Sequence, residues 1–447
     1  MRSEEDLTQT LRVAADQVRK PPGTLADAVA SRRRARRTRQ RAQMALAAAA
    51  VVIVAGGTAA VLSDGGGRVE PAVTVMTGPP SDAVPKLQLK PAAEVWPQAV
   101  FKMPTKATDG WKYRPVTGLS ATEVLLTAES SFEKAGRLEV YDAATGTART
   151  LGDMPAPAGV KGYFSQAVEV GEKYFAWYGE TPNNSDKWAD FWVMPREGGT
   201  ARQVGEVTGD LSLVETIAVT DEHLVWSVRQ GGVYRIPLTG GAPERMEGTD
   251  GLHLTSWPMA AGHAPGERGQ KNVNRMVNLE TGQSTEIQAP PGVTSLTCGA
   301  AWCFGRQRDR SVRQHLDGSG RELLPEGLEF SGGEQLLGDR FARVMPVVGG
   351  DPAKYRIPAA AVYDPATGLA AGIGKVSPTG GGSFGVGTSS SPTTIMYWDE
   401  DKEQYRECET EPPSADSPGG SETCESKERG GGTRFTVLNL LAVKPGS

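Results

Sequence analysis

RLEVYDAATGTARTL, at residues 137–151, is the first of six related stretches that decide the architecture of this chain. Each stretch has an alternating apolar strand, a turn ending in glycine, and the start of a second short strand. The other five are DFWVMPREGGTARQV (190–204), GVYRIPLTGGAPERM (232–246), RMVNLETGQSTEI (275–287), RQHLDGSGRELL (313–324) and AAVYDPATGLAAG (360–372). The last glycines of the turns are 53, 42, 41, 38 and 48 residues apart.

A repeat near 42 residues with about four short strands is typical of a β-propeller blade. Tryptophans recur at matching points in four repeats: Trp177, Trp226, Trp302 and Trp398. A large ring that recurs once per blade is expected to fill the wedge between neighbouring sheets, the alternative being a ligand pocket. The sequence therefore predicts an all-β fold, a β-propeller with seven blades favoured and six or eight as alternatives.

The seventh repeat is incomplete. GGGSFGVGTSS (380–390), TTIMYWDED (393–401) and FTVLNLLAV (435–443) predict three strands, and the chain then ends. QAVFKMP, at residues 98–104, could supply the fourth strand. Joining the two ends in one sheet would close the ring and remove exposed edge strands.

Composition agrees with short strands, since 447 residues include 55 Gly and 31 Pro, too many for a helical bundle. Four Cys and four His leave little room for a metal cluster. We assign the histidines to different repeats without a shared motif: His223, His253, His263 and His315. No nucleophile elbow, H-E-x-x-H motif or phosphate-binding Gly-Lys loop occurs in the sequence. We therefore predict no catalytic residue, cofactor site or metal site.

Charge divides the chain at an apolar stretch. Residues 1–42 hold 11 Lys/Arg and 5 Asp/Glu, a balance of +6, and the remaining 37 Lys/Arg and 48 Asp/Glu give −11. Between them MALAAAAVVIVAGGTAAVL, at residues 44–62, carries no charge. As a helix it would be about 28 Å long, close to the thickness of a bilayer core. It lacks the polar stripe of a buried core helix, so we predict a single transmembrane helix over residues 43–62.

Seven arginines lie just before this span: Arg32, Arg33, Arg34, Arg36, Arg37, Arg39 and Arg41. Such a cluster holds its end of a span in the cytoplasm. The prediction is a cell-membrane protein with its N-terminus inside and its C-terminal domain outside. Because the membrane topology already accounts for the arginine cluster, we expect no nucleic acid partner. About 40 residues precede the apolar stretch and no clear A-x-A site follows, which favours an uncleaved anchor over a cleaved signal peptide.

The predicted cytoplasmic segment, residues 1–42, contains one candidate amphipathic helix. Leu7, Leu11, Ala14 and Val18 have helical spacing, and the helix would end near Pro21. It is either a disordered tail or a docking helix for a cytoplasmic protein partner. Residues 63–92, rich in Gly and Pro, predict an extended tether, and residues 93–447 the propeller domain.

All four cysteines fall in the predicted external part, where disulfides persist. Cys298 and Cys303 flank a short turn, and Cys408 and Cys424 bracket an insertion rich in Pro, Ser and Gly. Three pairings exist, and we favour the two sequential ones. Acidic residues just before the insertion resemble a calcium loop, but Gln404 occupies the required glycine position, so a solvated loop is expected. A long loop on a rigid ring is a plausible contact site.

Several motifs together resemble a family. The arginine-rich stretch, the Ala/Val span, VWPQAV (95–100), TCGAAWCFG (297–305) and the repeated turns look like actinobacterial single-pass membrane proteins with TolB-like or WD-repeat-like propellers. The resemblance implies a fold and a cellular location, and it names no ligand. The N-terminal arrangement is also similar to that of membrane proteins encoded with extracytoplasmic-function sigma factors. The Cys/His zinc motif that many membrane anti-sigma factors carry is absent from the sequence.

The favoured function is a non-enzymatic binding module at the cell envelope, whose ligand is a protein, peptide or glycan. One alternative is an anti-sigma-like transmembrane regulator that binds a cytoplasmic partner through residues 1–42. The other is a hydrolase or lyase that uses the propeller channel. Carboxylates converging in the channel would support that enzyme, and an apolar channel would exclude it.

Overall fold

The computed structural model describes residues 89–444 except 131–135, 161, 182–185, 265–270, 331–334, 347–357, 375–383 and 412–420. All of them belong to one compact unit, Pro80–Ser447. Their strands form seven four-stranded antiparallel sheets and one separate hairpin. The fold is a seven-bladed β-propeller, as the repeat predicts.

Blades 1 to 6 each contain four consecutive strands, with the first one innermost in the ring. Blade 1 contains β2 (Lys112–Gly118), β3 (Glu123–Glu129), β4 (Arg137–Asp142) and β5 (Thr147–Asp153). Blade 2 contains β6 (Phe164–Val170), β7 (Tyr174–Glu180), β8 (Trp188–Pro195) and β9 (Arg202–Thr208). Blade 3 contains β10 (Val214–Val219), β11 (His223–Val228), β12 (Val233–Pro237) and β13 (Glu244–Arg245). Blade 4 contains β14 (Leu252–Ser256), β15 (Met259–His263), β16 (Val273–Asn278) and β17 (Ser284–Glu286). Blade 5 contains β18 (Val293–Cys298), β19 (Trp302–Gln307), β20 (Arg310–His315) and β21 (Glu322–Leu323). Blade 6 contains β22 (Leu328–Phe330), β23 (Ala342–Pro346), β24 (Ala360–Tyr363) and β25 (Ala370–Ile373).

Blade 7 joins the two ends of the propeller. From the inside outwards it contains β26 (Gly385–Val386), β27 (Ile395–Trp398), β30 (Arg434–Asn439) and β1 (Val100–Pro104). The outer pair runs in register from Val100↔Leu438 to Pro104↔Arg434. The predicted closure by residues 98–104 is therefore confirmed.

The predicted first strand of this blade, residues 380–390, is wrong in extent, because the described strand is limited to Gly385–Val386. Residues 387–394, GTSSSPTT, leave the sheet and hydrogen-bond to other blades. Serine and threonine hydroxyls offer the backbone partners outside a strand ladder, which is the physical reason for this departure. We refer to residues 387–394 as the strap.

Apolar side chains fill the wedges between blades. Seven clusters of buried residues occur, and each joins two neighbouring blades, including blades 7 and 1. Second strands such as β3, β7 and β11 are almost wholly buried, because a neighbouring blade covers each face. Outermost strands such as β5 and β17 are mostly exposed.

The repeated tryptophans occupy these wedges. All four lie on second strands of their blades, with Trp177 and Trp226 fully buried and Trp398 nearly so. The ring of Trp226 in blade 3 has its centroid 4.7 Å from that of Phe191 in blade 2. The packing interpretation of the recurring aromatics is confirmed.

The glycine turns have the predicted chemistry. In blade 1, Gly146 has φ +71°, and Asp142 accepts hydrogen bonds from the Ala144 N–H (2.9 Å) and the Thr145 hydroxyl (3.1 Å). Asp364 in blade 6 accepts the corresponding bonds, from the Ala366 N–H and the Thr367 hydroxyl. An aspartate that caps its own turn and a glycine with positive φ explain why the motif recurs.

Helices are short in the described part of the chain: α1 (Ala92–Val95) and 3₁₀ turns at Pro97–Ala99, Gly209–Ser212 and Leu440–Ala442. None of the helices among these residues has the length and apolar character to cross a membrane. The predicted amphipathic helix, the span over residues 43–62 and the seven arginines lie outside the described residues.

The disulfide Cys298–Cys303 is confirmed, between the end of β18 and the start of β19. Between β27 and β30 lies the hairpin of β28 (Lys402–Glu411) and β29 (Ser421–Gly430), whose backbone register places Cys408 opposite Cys424. The second disulfide stays a prediction.

At the base of that hairpin, Asp399 accepts hydrogen bonds from the N–H groups of Gly432 (2.7 Å) and Asp401 (3.0 Å). This acidic residue therefore closes a turn. No group of three His, Cys, Asp or Glu side chains suited to a metal ion occurs among the residues described.

Candidate functional site

The central channel has two distinct ends. In each blade the innermost strand begins at one end of the ring, which we call the upper end, and finishes at the lower end. Because the strands are antiparallel, every connection from a second to a third strand returns at the upper end. The β28–β29 hairpin is such a connection, so it leaves the ring at the upper end.

One cavity in the channel, which we call the main cavity, has a volume of about 800 Å³. It is lined mostly by innermost strands of blades 3 to 5 and by loops of blades 6 and 7. Its polar and charged lining residues include Glu215, Arg229, His253, Thr255, His263, Lys271, Thr297, Asp339, Ser389 and Ser390. The cavity in the channel is thus polar, with carboxylates, imidazoles and cations. An apolar channel would have excluded an enzyme, and the structure does not show one.

The strap crosses the channel. The strap starts from blade 7, and its Thr388 O accepts a hydrogen bond from the Val168 N–H of blade 2 (3.2 Å). Its Ser390 accepts a hydrogen bond through Oγ from the Ile217 N–H of blade 3 (2.7 Å). Blades 2 and 3 are not neighbours of blade 7, so these contacts must span the channel. The hydroxyl-rich composition of the strap supplies the partners that make this crossing possible.

A loop of blade 6 makes a second crossing at the lower end. The Ser256 hydroxyl of blade 4 donates to Asp339 Oδ2 (2.9 Å), and the Gly338 N–H donates to Thr393 O of the strap (2.9 Å). Blades 4 and 6 are separated by blade 5. The two crossings bridge the lower part of the channel.

A buried carboxylate anchors the strap. Glu169 of β6 accepts hydrogen bonds from the Ser391 N–H (2.8 Å) and the Ser391 hydroxyl (2.7 Å). Burial, opposed by these two donors, raises the pKa of Glu169 from its ordinary value to about 7. Burial likewise raises the pKa of Asp339, while its hydrogen bond from Ser256 opposes the shift.

A Glu–His–His cluster lies at the upper end. His253 Nδ1 lies 2.6 Å from Glu215 Oε2, and the His253 and His263 rings meet edge-on with centroids 5.5 Å apart. The Glu215 and His253 side chains are 41% and 24% exposed, so ligands in the cavity can reach them. Burial first and His253 second lower the pKa of His263, while Glu215 opposes the shift.

Arg229 reaches the same end because its turn is packed against blade 4. The turn between β11 and β12 has Gly231 at φ +86°, and a Cβ there would lie 2.7 Å from Gly251 Cα. The Gly232 N–H donates to Leu252 O (2.8 Å), beside His253. The close approach of the two backbones at glycine therefore sets Arg229 beside the cluster.

A side cavity of about 410 Å³ adjoins the main cavity and shares Ala167 and Ser389 with it. Its charged residues, Arg114 and Glu129 of blade 1, form an ion pair of 2.9 Å. The strap therefore separates two polar spaces in the channel.

The sequence prediction for the histidines is wrong in one respect. His253 and His263 do not belong to different repeats: they lie on β14 and β15 of blade 4 and are in contact. Glu215 and His253, which were not predicted as site residues, both occupy the second position of an innermost strand. Charged or imidazole side chains at that shared repeat position are the signal that could have identified the site. Of the predicted cysteines, Cys298 lines the main cavity.

The chain has only distant likenesses to known proteins. No protein-family model matches the chain, and no curated protein matches it. Among solved structures, TolB from Acinetobacter baumannii is 16% identical, with a TM-score of 0.30 over 49% of this chain and 59% of TolB. An oligogalacturonate lyase from Vibrio parahaemolyticus is 10% identical, with a TM-score of 0.37 over 62% of this chain and 85% of the lyase.

A prolyl endopeptidase is 14% identical, with a TM-score of 0.41 over 77% of this chain and 56% of the peptidase. The chain therefore spans less than two thirds of the length of the TolB and peptidase structures. These likenesses carry no activity over to this chain. Its own seven sheets and their closure establish a seven-bladed β-propeller, the fold class to which TolB-like and WD40 propellers belong.

Proposed function

We propose that this chain is a binding module of the cell envelope that holds a small polar ligand in the main cavity. The observation that carries the proposal is a cavity of about 800 Å³, bridged at its lower end and lined by convergent polar side chains. Ligand sites are typically concave and largely preformed, with a few placed polar groups. A rigid ring satisfies this description, because each blade is locked to the next by an apolar wedge.

The location in this proposal comes from the sequence. The uncharged stretch 44–62 and the arginine cluster before it support a single-pass anchor with the propeller outside the cell. The ring closes on residues 100–104 of its own chain, and residues 90–99 pack against blades 6 and 7, so a tether to the membrane would lie before them.

The test uses full-length protein purified in detergent. It is incubated with the small-molecule fraction of an envelope digest, and retained compounds are identified by mass spectrometry. Ala167→Trp, on β6 and lining both cavities, should abolish retention by filling the channel. Ala148→Trp, exposed on β5, is the matched control and should retain the same compounds.

Gln230→Trp gives a second obstruction at the exposed upper rim, independent of packing inside the channel. Retention that is equal in both obstructed variants and in the control would contradict the proposal. So would chemical turnover of the retained compound at ordinary enzyme rates.

The second candidate function, a hydrolase or lyase, is favoured by the Glu215–His253 contact. A carboxylate that accepts from one imidazole nitrogen orients the ring and leaves the other nitrogen as a general base. If the retained compound is converted to product and His253→Gln removes that conversion while binding persists, the enzyme replaces the binding module. Persistence of conversion in the variant would exclude His253 as the base.

A further inference from the structure

We propose that the main cavity selects a small monocarboxylate carrying several hydroxyl or amide groups, with its carboxylate held at the upper end by Arg229 and Lys271. This inference rests on the proposed function and specifies its ligand. It assigns the upper end, from which the β28–β29 hairpin also leaves, as the binding face.

The first observation is the placement of two cations at one end of the cavity. Arg229 and Lys271 both line it and are exposed at its rim. No ion pair of the described residues involves either of them. A guanidinium presents paired donors that match a carboxylate, and an ammonium beside it adds a point charge.

The second observation is the charge balance at the upper end. Among the described residues that line the upper end, Arg229 and Lys271 supply two positive charges and Glu215 supplies one negative charge, a balance of +1. His263 adds no charge near neutral pH, because burial and the neighbouring His253 lower its pKa. A single net positive charge is matched by a monoanion rather than by a dianionic phosphate.

Each of the nearby carboxylates already has a partner of its own. Glu215 is engaged by His253 Nδ1 at 2.6 Å, so its charge already has a partner. Glu180 accepts from Gln166 Nε2 (3.1 Å), and its pKa is raised by burial although Arg229 opposes the shift. Asp339 lies at the lower end, where it accepts from the Ser256 hydroxyl.

The third observation concerns the rest of the cavity. Below the cations the lining includes four hydroxyls beside apolar side chains: Thr255, Thr297, Ser389 and Ser390. Hydroxyl groups both donate and accept hydrogen bonds, so they suit a ligand with its own hydroxyl or amide groups. Cations at the rim and hydroxyls further inside therefore suit a ligand with a carboxylate at one end and polar groups along the rest of the molecule.

The test is isothermal titration calorimetry of the full-length chain with matched probe pairs. One pair is glucuronate and glucose, and the other is acetyl-Ala-Ala with a free carboxylate and its C-terminal amide. We expect at least one carboxylate to bind ten times or more tightly than its neutral counterpart. The pair that shows the difference distinguishes a sugar acid from a peptide terminus.

The double variant Arg229→Gln/Lys271→Gln should weaken binding of the carboxylate probe at least tenfold. Its affinity for the neutral counterpart should change by less than twofold. The control variant Arg149→Gln/Arg321→Gln removes two exposed cations from the outer rim of the blades. It should change the affinity for both probes by less than twofold. All four side chains are exposed, so folding is preserved in both variants.

Equal binding of the carboxylate and neutral probes, both blocked by Ala167→Trp, would overturn the anionic ligand while the binding function stands. Absence of binding by every probe would also overturn this inference. The proposed function is then judged separately, by whether Ala167→Trp loses the compounds retained from the envelope digest.

Discussion

The wedges between the blades and the central channel are built from opposite kinds of side chain. The wedges contain tryptophan, phenylalanine and aliphatic residues in seven continuous clusters. The channel contains carboxylates, imidazoles and hydroxyls that reach across from blades that are not neighbours. Apolar packing and the polar groups of the channel therefore lie on different surfaces of the same blades.

The largest effect is expected in a wedge. Trp226→Ala should lower the free energy of unfolding by about 3–5 kcal/mol, because it empties the buried contact between blades 2 and 3. The ring of Trp226 packs on Phe191, and its indole N–H donates to Leu211 O (3.2 Å). Urea unfolding followed by circular dichroism measures the change.

Leu323→Ala is the control for this prediction. Leu323 lies on the outermost strand β21 and is 48% exposed, so its truncation should cost less than about 0.5 kcal/mol. Similar losses in the two variants would contradict the assignment of stability to the wedges.

A second effect arises in the channel and depends on pH. The folded state holds the Glu169 proton more tightly than the unfolded chain does, since its pKa rises from 4.5 to about 7. Stability should therefore fall as pH rises from about 4.5 to about 7, by on the order of 3 kcal/mol. Glu169→Gln should flatten the pH dependence of unfolding over this range.

Two variants sharpen this measurement. Ser391→Ala removes the hydroxyl that donates to ionised Glu169, so the fall in stability should become larger and extend to higher pH. Buried Asp190, whose pKa is raised to about 6, should account for part of a residual slope in Glu169→Gln, and Asp190→Asn should reduce that slope. A slope in Glu169→Gln equal to that of the wild-type chain would show that this carboxyl is not the source.

The smallest effect is expected where the wedge and the channel meet, at the Cys298–Cys303 disulfide. Cys298 belongs to the apolar cluster between blades 4 and 5 and also lines the main cavity. Because the bond closes a loop with a sequence separation of 5, replacing both cysteines by serine should lower stability by about 2 kcal/mol. Thermal unfolding without reductant measures this loss of stability.

A loss in the double serine variant as large as that in Trp226→Ala would contradict the local nature of this crosslink. Peptide mapping of the same samples under non-reducing conditions also tests the predicted Cys408–Cys424 bridge, whose backbone positions are opposite in register.

The predictable features of the fold are those with a local or periodic cause. The glycine turns recur because each needs a positive φ and an aspartate or a second glycine beside it, as at Asp142 and Gly146. The tryptophans recur because large rings fill several of the wedges. Closure of the ring by residues 98–104 was predictable because the seventh repeat has three strands and needs a fourth strand from elsewhere in the chain.

The site was much less predictable. Residues 387–394 have the composition of a strand end or a loop, and no local rule indicates that Ser390 reaches the backbone of Ile217 across the channel. His253 and His263 were placed in different repeats because the repeat was defined by its third-strand turn, which leaves the boundary of the first strand undetermined. Their contact follows from pairing β14 with β15.

The sequence by itself determined a propeller with seven blades favoured, its closure, its turn chemistry and the hairpin disulfide, because these depend on neighbouring residues or on a regular period. The tertiary structure alone decided that the channel is polar and bridged below, and that Arg229, Lys271 and Glu215 line its upper end. Glu169 and Ser391 are 222 residues apart, and Ser256 and Asp339 are 83 residues apart. Such pairs meet because the ring closes and sets which innermost-strand side chains face the axis, and no local pattern encodes that geometry.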